Sequence, residues 1–403
     1  MKKLSSTRLL RSAHSFGRAA IVCLVAMPWP GIAEDATQDR PADVIRFATF
    51  NAALSGQTAA DLPGRLATPD DEKLKKVAAI IQHVRPDVLL INEFDHDPTG
   101  QLAADFQQHY LGIVQGGNEP IAFTHAYSPP VNTGLPTGID LNGDGKIGGP
   151  ADAHGWGDFP GQYGMLLLSR LNDLPNVVES QRERLWMGDH VYGDENALYP
   201  ETAKGILRLS SKTHETIRIT RRNGRPVYVI ISHPTPPVFD GPEDRNGHRN
   251  AEEIQLLNEM VAAVHPWRMG AIEPRHEWGP VVILGDLNAD PHDGESRKNA
   301  VRFLFGHRLM DPLPRSRGAV EKSLADGGIN TDHQTDPALD TADWHDHGPH
   351  GSGNLRVDYV LPTKDWRVVD AGVFWPTADE PGHEWIDASD HRLVWVDLTL
   401  ALD

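Results

Sequence analysis

The sequence has one cysteine in 403 residues, and it lacks both a long hydrophobic run and a run of basic residues. The cysteine, Cys23, lies near the amino terminus, so disulfide bonds cannot stabilise the rest of the chain. The apolar stretch around it, 19–27, is too short to span a bilayer. The missing basic run removes the usual feature of proteins that bind nucleic acid without sequence preference.

Residues 1–33 have the pattern of a signal peptide. Basic residues precede the apolar stretch, and Gly31 and Ala33 supply small side chains for cleavage before Glu34. An uncleaved membrane anchor is the alternative. We therefore expect a secreted or periplasmic protein, with a linker over 34–43, one large domain over 44–403 and no transmembrane segment in the mature chain.

The charge balance is acidic, with 56 Asp and Glu against 38 Lys and Arg and a net charge of −18. Cleavage after residue 33 would remove five basic residues and change the net charge from −18 to −23. This balance disfavours nucleic acid as the partner without excluding it, because local basic clusters can exist on an acidic surface. We expect a monomer.

Hydrophobic periodicity predicts an α/β domain with several hairpins. A helix is predicted from Thr68 as N-cap, with apolar positions from Leu74 to Val84, and another includes Ile254 to Val264. Strands are predicted at VIRFATFN, DVLLINE, YGMLLLSR, ETIRITRR, PVYVIIS, VVILGD, RVDYVLP, WRVVDAGVFW and RLVWVDLTL. Segments of about 112–161, 186–205 and 315–353 show little periodicity and are predicted to be loop insertions.

Polar residues stand where the predicted strands end. Asn51, Glu93, His233 and Asp286 end or follow four strands, and Asp390 and His391 precede the last one. Each residue alone is explained as well by a turn or a surface side chain. Together they predict one rim of strand ends, where rigid strands hold catalytic groups.

These motifs resemble those of the endonuclease/exonuclease/phosphatase superfamily, which includes DNase I-like nucleases. The matching segments, in the family's order, are FNAAL, INEFD, LLLSR, ISHPTPP, GDLNADP, RVDYVLP and ASDH, and they span about 44–400. The resemblance implies a four-layer DNase I-like β-sandwich, with two mixed sheets packed face to face and helices outside. It also implies that 44–403 is a catalytic domain.

The resemblance implies a role for each site residue. Glu93, assisted by Asn51 and Asp390, would hold Mg²⁺ or Mn²⁺, because these cations prefer hard oxygen ligands. Among the implied catalytic residues, His233 would protonate the leaving oxygen and Asp286 would orient or deprotonate water. Asn288 would hold a phosphoryl oxygen, and His391 would donate to the phosphate or act as a base. Asp358 would orient a histidine or support the metal.

Two arginines in GPEDRNGHRNAEE are candidate substrate contacts. Arg245 and Arg249 could each reach a phosphate through the planar guanidinium. Arg249 is explained equally well by an ion pair with Glu252 or Glu253 on the same helix. The acidic partner that orients the leaving-group histidine in DNase I-like enzymes is not identifiable from the sequence.

The segment DLNGDGKIGGPAD follows the calcium-loop pattern for its first eight positions. Its candidate ligands are Asp140, Asn142, Asp144, Lys146 and Asp152. The twelfth position is Ala151, where a bidentate glutamate is expected, and Asp152 stands beside it. A structural Ca²⁺ site and a plain Asx-rich turn therefore both remain open.

The sequence thus predicts an exported, divalent-metal-dependent phosphoesterase that cleaves a phosphate ester by in-line attack of water. An extracellular DNase I-like endonuclease is one alternative. A calcium-stabilised binding protein on the same scaffold, without catalysis, is an alternative of another class. The substrate's identity stays open.

Overall fold

The computed structural model describes residues 40–171, 176–188, 190–192, 197–264, 279–297, 300–305, 308–346 and 351–400. The predicted signal peptide and most of the linker lie outside these residues. The strands are β1 Ile45–Asn51, β2 Val88–Asn92, β3 His125–Tyr127, β4 Met165–Ser169, β5 Asn176–Ser180, β6 His214–Thr220, β7 Pro226–Ser232, β8 Val281–Asp286, β9 Ala342–Asp343, β10 Asn354–Leu355, β11 Asp358–Pro362, β12 Trp366–Val373 and β13 Val394–Leu400. The α-helices are α1 Asp61–Leu66, α2 Glu72–Val84, α3 Gln101–Phe106, α4 Arg245–Val264 and α5 Arg317–Asp326.

Two mixed sheets organise the chain. The six-stranded sheet has the order β12-β13-β1-β2-β4-β3, and the five-stranded sheet has the order β11-β8-β7-β6-β5. Each contains one parallel pair, β1 with β2 and β7 with β8, among antiparallel neighbours. Strands β9 and β10 form a separate two-stranded pair. The carboxyl ends of each parallel pair therefore lie side by side.

The two sheets pack face to face, and helices cover their outer faces. Strand β1 shows the alternation: Ile45 and Phe47 join the core between the sheets, whereas Ala48 and Phe50 face α1 to α3. A third cluster fills the space between the five-stranded sheet and α4. These layers confirm the four-layer sandwich with helices outside.

The predicted start of α2 at Thr68 is wrong. Asp71 is the N-cap, and its side chain accepts a hydrogen bond from the Leu74 amide at 2.9 Å. The same carboxylate pairs with Arg65, while the Thr68 carbonyl accepts from the Tyr110 hydroxyl. These tertiary contacts fix residues 67–70 as a turn, which a local capping pattern does not reveal.

The three predicted insertions contain short regular elements. Strand β3 lies in the first, a 3₁₀ turn at Glu201–Ala203 lies in the second, and α5 and β9 lie in the third. Helix α5 escaped prediction because Gly318 and Ala319 are its only buried residues, so it has almost no amphipathic pattern.

None of the helices in the described part of the chain combines the length and the apolar content that a membrane crossing requires.

A buried histidine makes the fold sensitive to acid. The His214 ring is fully buried at the start of β6, with Nδ1 2.9 Å from the Ser210 hydroxyl and Nε2 without a partner among the described residues. Burial lowers the pKa of His214 from 6.5 to about 4, although Glu253 opposes the shift. The unfolded chain therefore binds this proton more tightly than the folded chain does.

We predict that stability contributed by neutral His214 is complete above pH 6.5 and is lost as the pH falls through 4. The advantage of the wild type over His214→Gln should shrink by up to about 3 kcal/mol between pH 7 and pH 4. Urea unfolding of the wild type and of His214→Gln at both pH values measures this difference in stability. The exposed control His292→Gln should show no such change, and a constant advantage for His214 would contradict the prediction.

Candidate active site

The ends of five strands bring the predicted site residues to one rim. Asn51 ends β1, and Glu93 follows its parallel neighbour β2. His233 follows β7, Asp286 ends the parallel neighbour β8, and Asp358 opposite Asp286 begins β11. Residues far apart in sequence therefore converge because strand pairing fixes where each strand ends.

The Asp286 carboxylate is the centre of this rim. Its Oδ2 accepts a hydrogen bond from Asn51 Nδ2 at 3.1 Å and lies 3.5 Å from His233 Nε2 and 3.7 Å from His391 Nε2. Its Oδ1 accepts from the Asn288 amide at 2.8 Å. Burial raises the pKa of Asp286 to about 6, while the charge of His391 opposes the rise.

His391 is held by a second carboxylate. Its Nδ1 lies 2.9 Å from Asp358 Oδ2, which also accepts from the Thr341 hydroxyl at 2.8 Å. Burial by itself lowers the pKa of His391, but the charges of Asp358 and Asp286 outweigh it and raise the pKa to about 10. The ring is therefore oriented with Nε2 toward Asp286.

The third insertion closes over the same histidine. The Trp344 indole Nε1 donates to Asp390 Oδ2 at 2.9 Å, and its ring meets the His391 ring edge-on with centroids 5.2 Å apart. Ala342 also forms a backbone bridge with His391. Neither Trp344 nor Thr341 is recognisable as a site residue from the sequence, because both lie in a segment without periodicity.

The predicted metal ligands offer a suitable donor set. Asn51 Nδ2 donates to Glu93 Oε1 at 3.2 Å, and the exposed carboxylate of Asp390 stands beside His391. Desolvation raises the pKa of Glu93, so its charge is unfavourable unless a cation lies near. The carboxylates of Glu93 and Asp390 are hard ligands that fit Mg²⁺ or Mn²⁺. Asn51 would add its amide oxygen only after the side-chain amide rotates, because Nδ2 faces Glu93 and Oδ1 accepts from the Ala53 backbone amide at 3.1 Å.

A different set has the tightest clustering of potential ligand atoms. Asp286, Asp358 and His391 place one such atom each within 4.8 Å of one another, in the part of the chain that the structure describes. Here Asp358 Oδ2 is already bonded to His391 and Thr341, whereas its buried Oδ1 has no partner among the described residues. A relay of hydrogen bonds therefore fits this set better than direct ligation does.

His233 lacks a carboxylate at its outer nitrogen. Its Nδ1 is buried and has no hydrogen-bond partner among the described residues. Burial lowers the pKa of His233 well below 6.5, and the positive charges of Lys212 and His391 add to this effect. The acidic partner missing from the sequence is thus also absent from the described structure, and His233 is neutral near pH 7.

Lys212 is a further residue at the site. Its side chain is buried beside Glu253, Glu93 and Asp286, and no hydrogen bond or ion pair engages its ammonium group within the described ranges. Burial lowers the pKa of Lys212, and these carboxylates oppose the shift. Sequence reasoning missed it because a single lysine before a strand looks like any surface residue.

The structure separates the two candidate arginines. Arg249 is buried and donates to the carbonyls of Leu209, Arg208 and His154. It forms neither of the predicted pairs on the helix, since Glu253 instead accepts from Ser211 and Thr235. Arg245 is partly exposed, and its guanidinium lies 5.5 Å from the centre of the Tyr199 ring.

The candidate calcium loop closes on its own backbone. Asp140 accepts from the amides of Gly143, Asp144 and Gly145, and Asp144 accepts from the Lys146 amide. The Asn142 side chain accepts from Asp144, while Asp152 accepts from Leu141 and Gly148 at the other side. These turns fit both alternatives, so the calcium site stays a prediction.

A model of the Endonuclease/Exonuclease/phosphatase family matches residues 48–391. The chain belongs to this family. Its members are metal-dependent hydrolases that act on phosphoester bonds, so the chain is an enzyme of this class. No curated protein sequence matches it.

Solved structures with a similar fold have low sequence identity. An endonuclease/exonuclease/phosphatase from Beutenbergia cavernae is 19% identical, with 89% of this chain and 72% of that chain covered and a TM-score of 0.49. A Bacteroides vulgatus member is 13% identical, with 89% of this chain and 99% of that chain covered and a TM-score of 0.45. The human nocturnin catalytic domain with bound sulfate is 16% identical, with 90% of this chain and 96% of that chain covered and a TM-score of 0.43.

Gly285 allows the two strands that carry His233 and Asp286 to approach. A Cβ at this position would lie 2.0 Å from the Ser232 carbonyl oxygen on β7. We predict that Gly285→Ala forces β7 and β8 apart and lowers the free energy of unfolding by about 1–3 kcal/mol. The control Gly64→Ala in α1, where no atom lies within 4 Å of an added Cβ, should be neutral or stabilising. Urea unfolding of both variants measures this, and equal stabilities would contradict the prediction.

Proposed function

We propose that the chain is an exported phosphoesterase that hydrolyses phosphate esters with a divalent metal ion and in-line attack of water. The contact of Asp286 with Asn51, His233 and His391 is the main support. A carboxylate, an amide and two imidazoles then face one point, and this combination can activate water and donate protons. The amino-terminal sequence pattern supports export.

The central residues divide the reaction between them. Asp286 orients the attacking water and accepts its proton as the new bond to phosphorus forms. His391 donates from Nε2 to a phosphoryl oxygen, because Asp358 occupies its Nδ1. Asn288 offers a neutral amide to another phosphoryl oxygen, where a carboxylate would repel the substrate.

The leaving oxygen needs a proton when its bond to phosphorus breaks. In this proposal His233 supplies it as the imidazolium and returns to the neutral ring. Burial keeps the ring neutral in the free protein, so the negative charge of the bound phosphate must first raise its pKa and let it take up a proton from water. Glu93 and Asp390 would hold Mg²⁺ or Mn²⁺, with Asn51 joining them once its amide rotates to present Oδ1, and the ion would neutralise charge on the phosphoryl oxygens.

Basic side chains define where the phosphate group enters. Lys212 is buried next to Glu93, and Arg245 is partly exposed farther out, so we propose both as phosphate contacts. Arg249 is a weaker candidate because three backbone carbonyls already occupy its guanidinium. The acidic net charge favours a small substrate over a polynucleotide.

Removing either central group should strongly lower the turnover rate. We predict that Asp286→Asn and His391→Ala each lower kcat for a bis-aryl phosphodiester by about a hundredfold to ten-thousandfold, because each removes a proton-transfer group. Release of the aryl alcohol, measured with Mg²⁺ or Mn²⁺, gives kcat. The exposed control Asp332→Asn should keep wild-type turnover. Wild-type protein without turnover of any phosphate ester would favour the binding-protein alternative.

The buried ammonium of Lys212 should stabilise the charge on the phosphoryl group. We predict that Lys212→Met lowers kcat/KM by about a hundredfold, comparable to the loss of one oxyanion donor. The control is Lys204→Met, which alters an exposed lysine that pairs with Glu201. Steady-state kinetics at saturating metal compare the two lysine variants, and thermal unfolding verifies that both are folded. A Lys212 variant that is folded and fully active would show that the lysine has only a structural role.

A further inference from the structure

A cavity of about 590 Å³ opens beside Glu93. It is lined by Lys212 and by residues of the first insertion, and it continues to the start of α4. Cavities of this size hold small organic ligands. Because Glu93 is a proposed metal ligand, a molecule in this cavity would place its phosphate group at the catalytic rim.

Four aromatic residues line the cavity, and two of them are largely exposed. Trp156 is 57% exposed, and its ring centroid lies 6.1 Å from that of Tyr163. Phe239 is 90% exposed and also lines the cavity. Large aromatic side chains are normally buried, so uncovered rings around one cavity indicate a surface that a ligand covers.

Two of the aromatic residues that line the cavity have an unusual backbone conformation. Phe239 has φ +69° and Tyr163 has φ +53°, in the left-handed region that bulky residues avoid. The Tyr163 amide is fixed in this conformation by hydrogen bonds to Ser55 and Asp95. Such conformations persist at sites where the surrounding structure requires them, which supports a binding role for the rings.

The polar part of the wall limits the ligand's character. Arg245 lies over the Tyr199 ring, and no carboxylate among the described residues pairs with it. The Thr235 hydroxyl in the lining is buried and has no partner among the described residues, whereas Thr133 and Asn246 already donate to the carbonyls of Gln162 and Val238. An acyl chain would leave Arg245 and the Thr235 hydroxyl unpaired, whereas a ring system with polar substituents can stack on the aromatic wall and still pair with them.

We propose that this cavity binds the organic part of the substrate, and that this part carries a flat aromatic ring, either a simple aryl group or a nucleobase. The proposal rests on the proposed function, since it assumes that a phosphate ester is bound at the rim. The aromatic wall stacks on the ring, and Arg245 faces its polar substituents or a second anionic group.

Phosphonates test the ring preference without any bond cleavage. Calorimetry with Mg²⁺ compares phenylphosphonate with methylphosphonate, and an adenine-bearing ethylphosphonate with ethylphosphonate. We expect the wild type to bind at least one ring-bearing member about fivefold or more tightly than its partner, because stacking on an aromatic side chain strengthens binding by at least this factor. The pair with the larger ratio distinguishes an aryl group from a nucleobase.

Matched variants locate the preference. Trp156→Ala and Phe239→Ala should each reduce the ratio, and the double variant should bring it close to one. Phe303→Ala is the control, because Phe303 is 72% exposed but does not line the cavity. Equal binding of ring-bearing and ring-free phosphonates, no binding of any of them, or a ratio unchanged in the double variant would each overturn the proposal.

The result is separable from that for the catalytic residues. If the wild type prefers the ring-bearing phosphonates but turns over no phosphate ester, the cavity assignment stands and the proposed function fails. If it turns over esters without any ring preference, the proposed function stands and the cavity assignment fails.

Discussion

The Asn51 side chain joins the two sheets at the site. It extends from β1 of the six-stranded sheet, and its amide nitrogen donates both to Glu93 beside the same sheet and to Asp286 on β8 of the other. Asn92 adds a second link by donating to the Ser232 carbonyl. The candidate metal ligands thus belong to one sheet and the water-activating group to the other, so their spacing depends on how the sheets pack. Sequence changes in the core between the sheets can therefore affect catalysis without touching a catalytic residue.

The sequence predicts the residues at the strand ends of this rim better than the residues that hold them in position. Long apolar strands ending in Asn51, Glu93 or Asp286 carry a strong periodic signal, and their order along the chain indicated the fold. Thr341 and Trp344 carry no such signal, because they act through tertiary contacts from a segment without periodicity. For Arg249 the sequence leaves a phosphate contact and an ion pair on the helix equally open, because nothing local shows that three distant carbonyls surround it. What sequence cannot give is the pairing between distant segments, which decides the partner of each polar group.

Charge balance explains why so many ionisable groups occupy so small a volume. Asp286, Asp358 and Glu93 lie close together, and burial raises the pKa of Asp286 and of Glu93. Lys212 and His391 supply positive charge, although burial disfavours the charged form of both side chains. A divalent cation and a phosphate dianion would add charges of opposite sign to this group. Without these ligands, the buried charges of the protein do not balance one another, as expected of a site that recognises a charged transition state.

Backbone strain is concentrated where the site needs fixed directions. Among the described residues other than glycine, eight have positive φ, and five of them, namely Ala53, Glu93, Tyr163, Phe239 and Asn288, flank the rim or line the cavity. Each such conformation costs of order 1–3 kcal/mol and persists only if surrounding contacts maintain it. At Glu93 the strain turns the chain immediately after β2, and at Asn288 it turns the chain just after β8, where the Asn288 amide donates to Asp286. The rigid strands behind these turns maintain them, so the carboxylates and amides are already oriented before a substrate binds, and little of its binding energy is spent on ordering them.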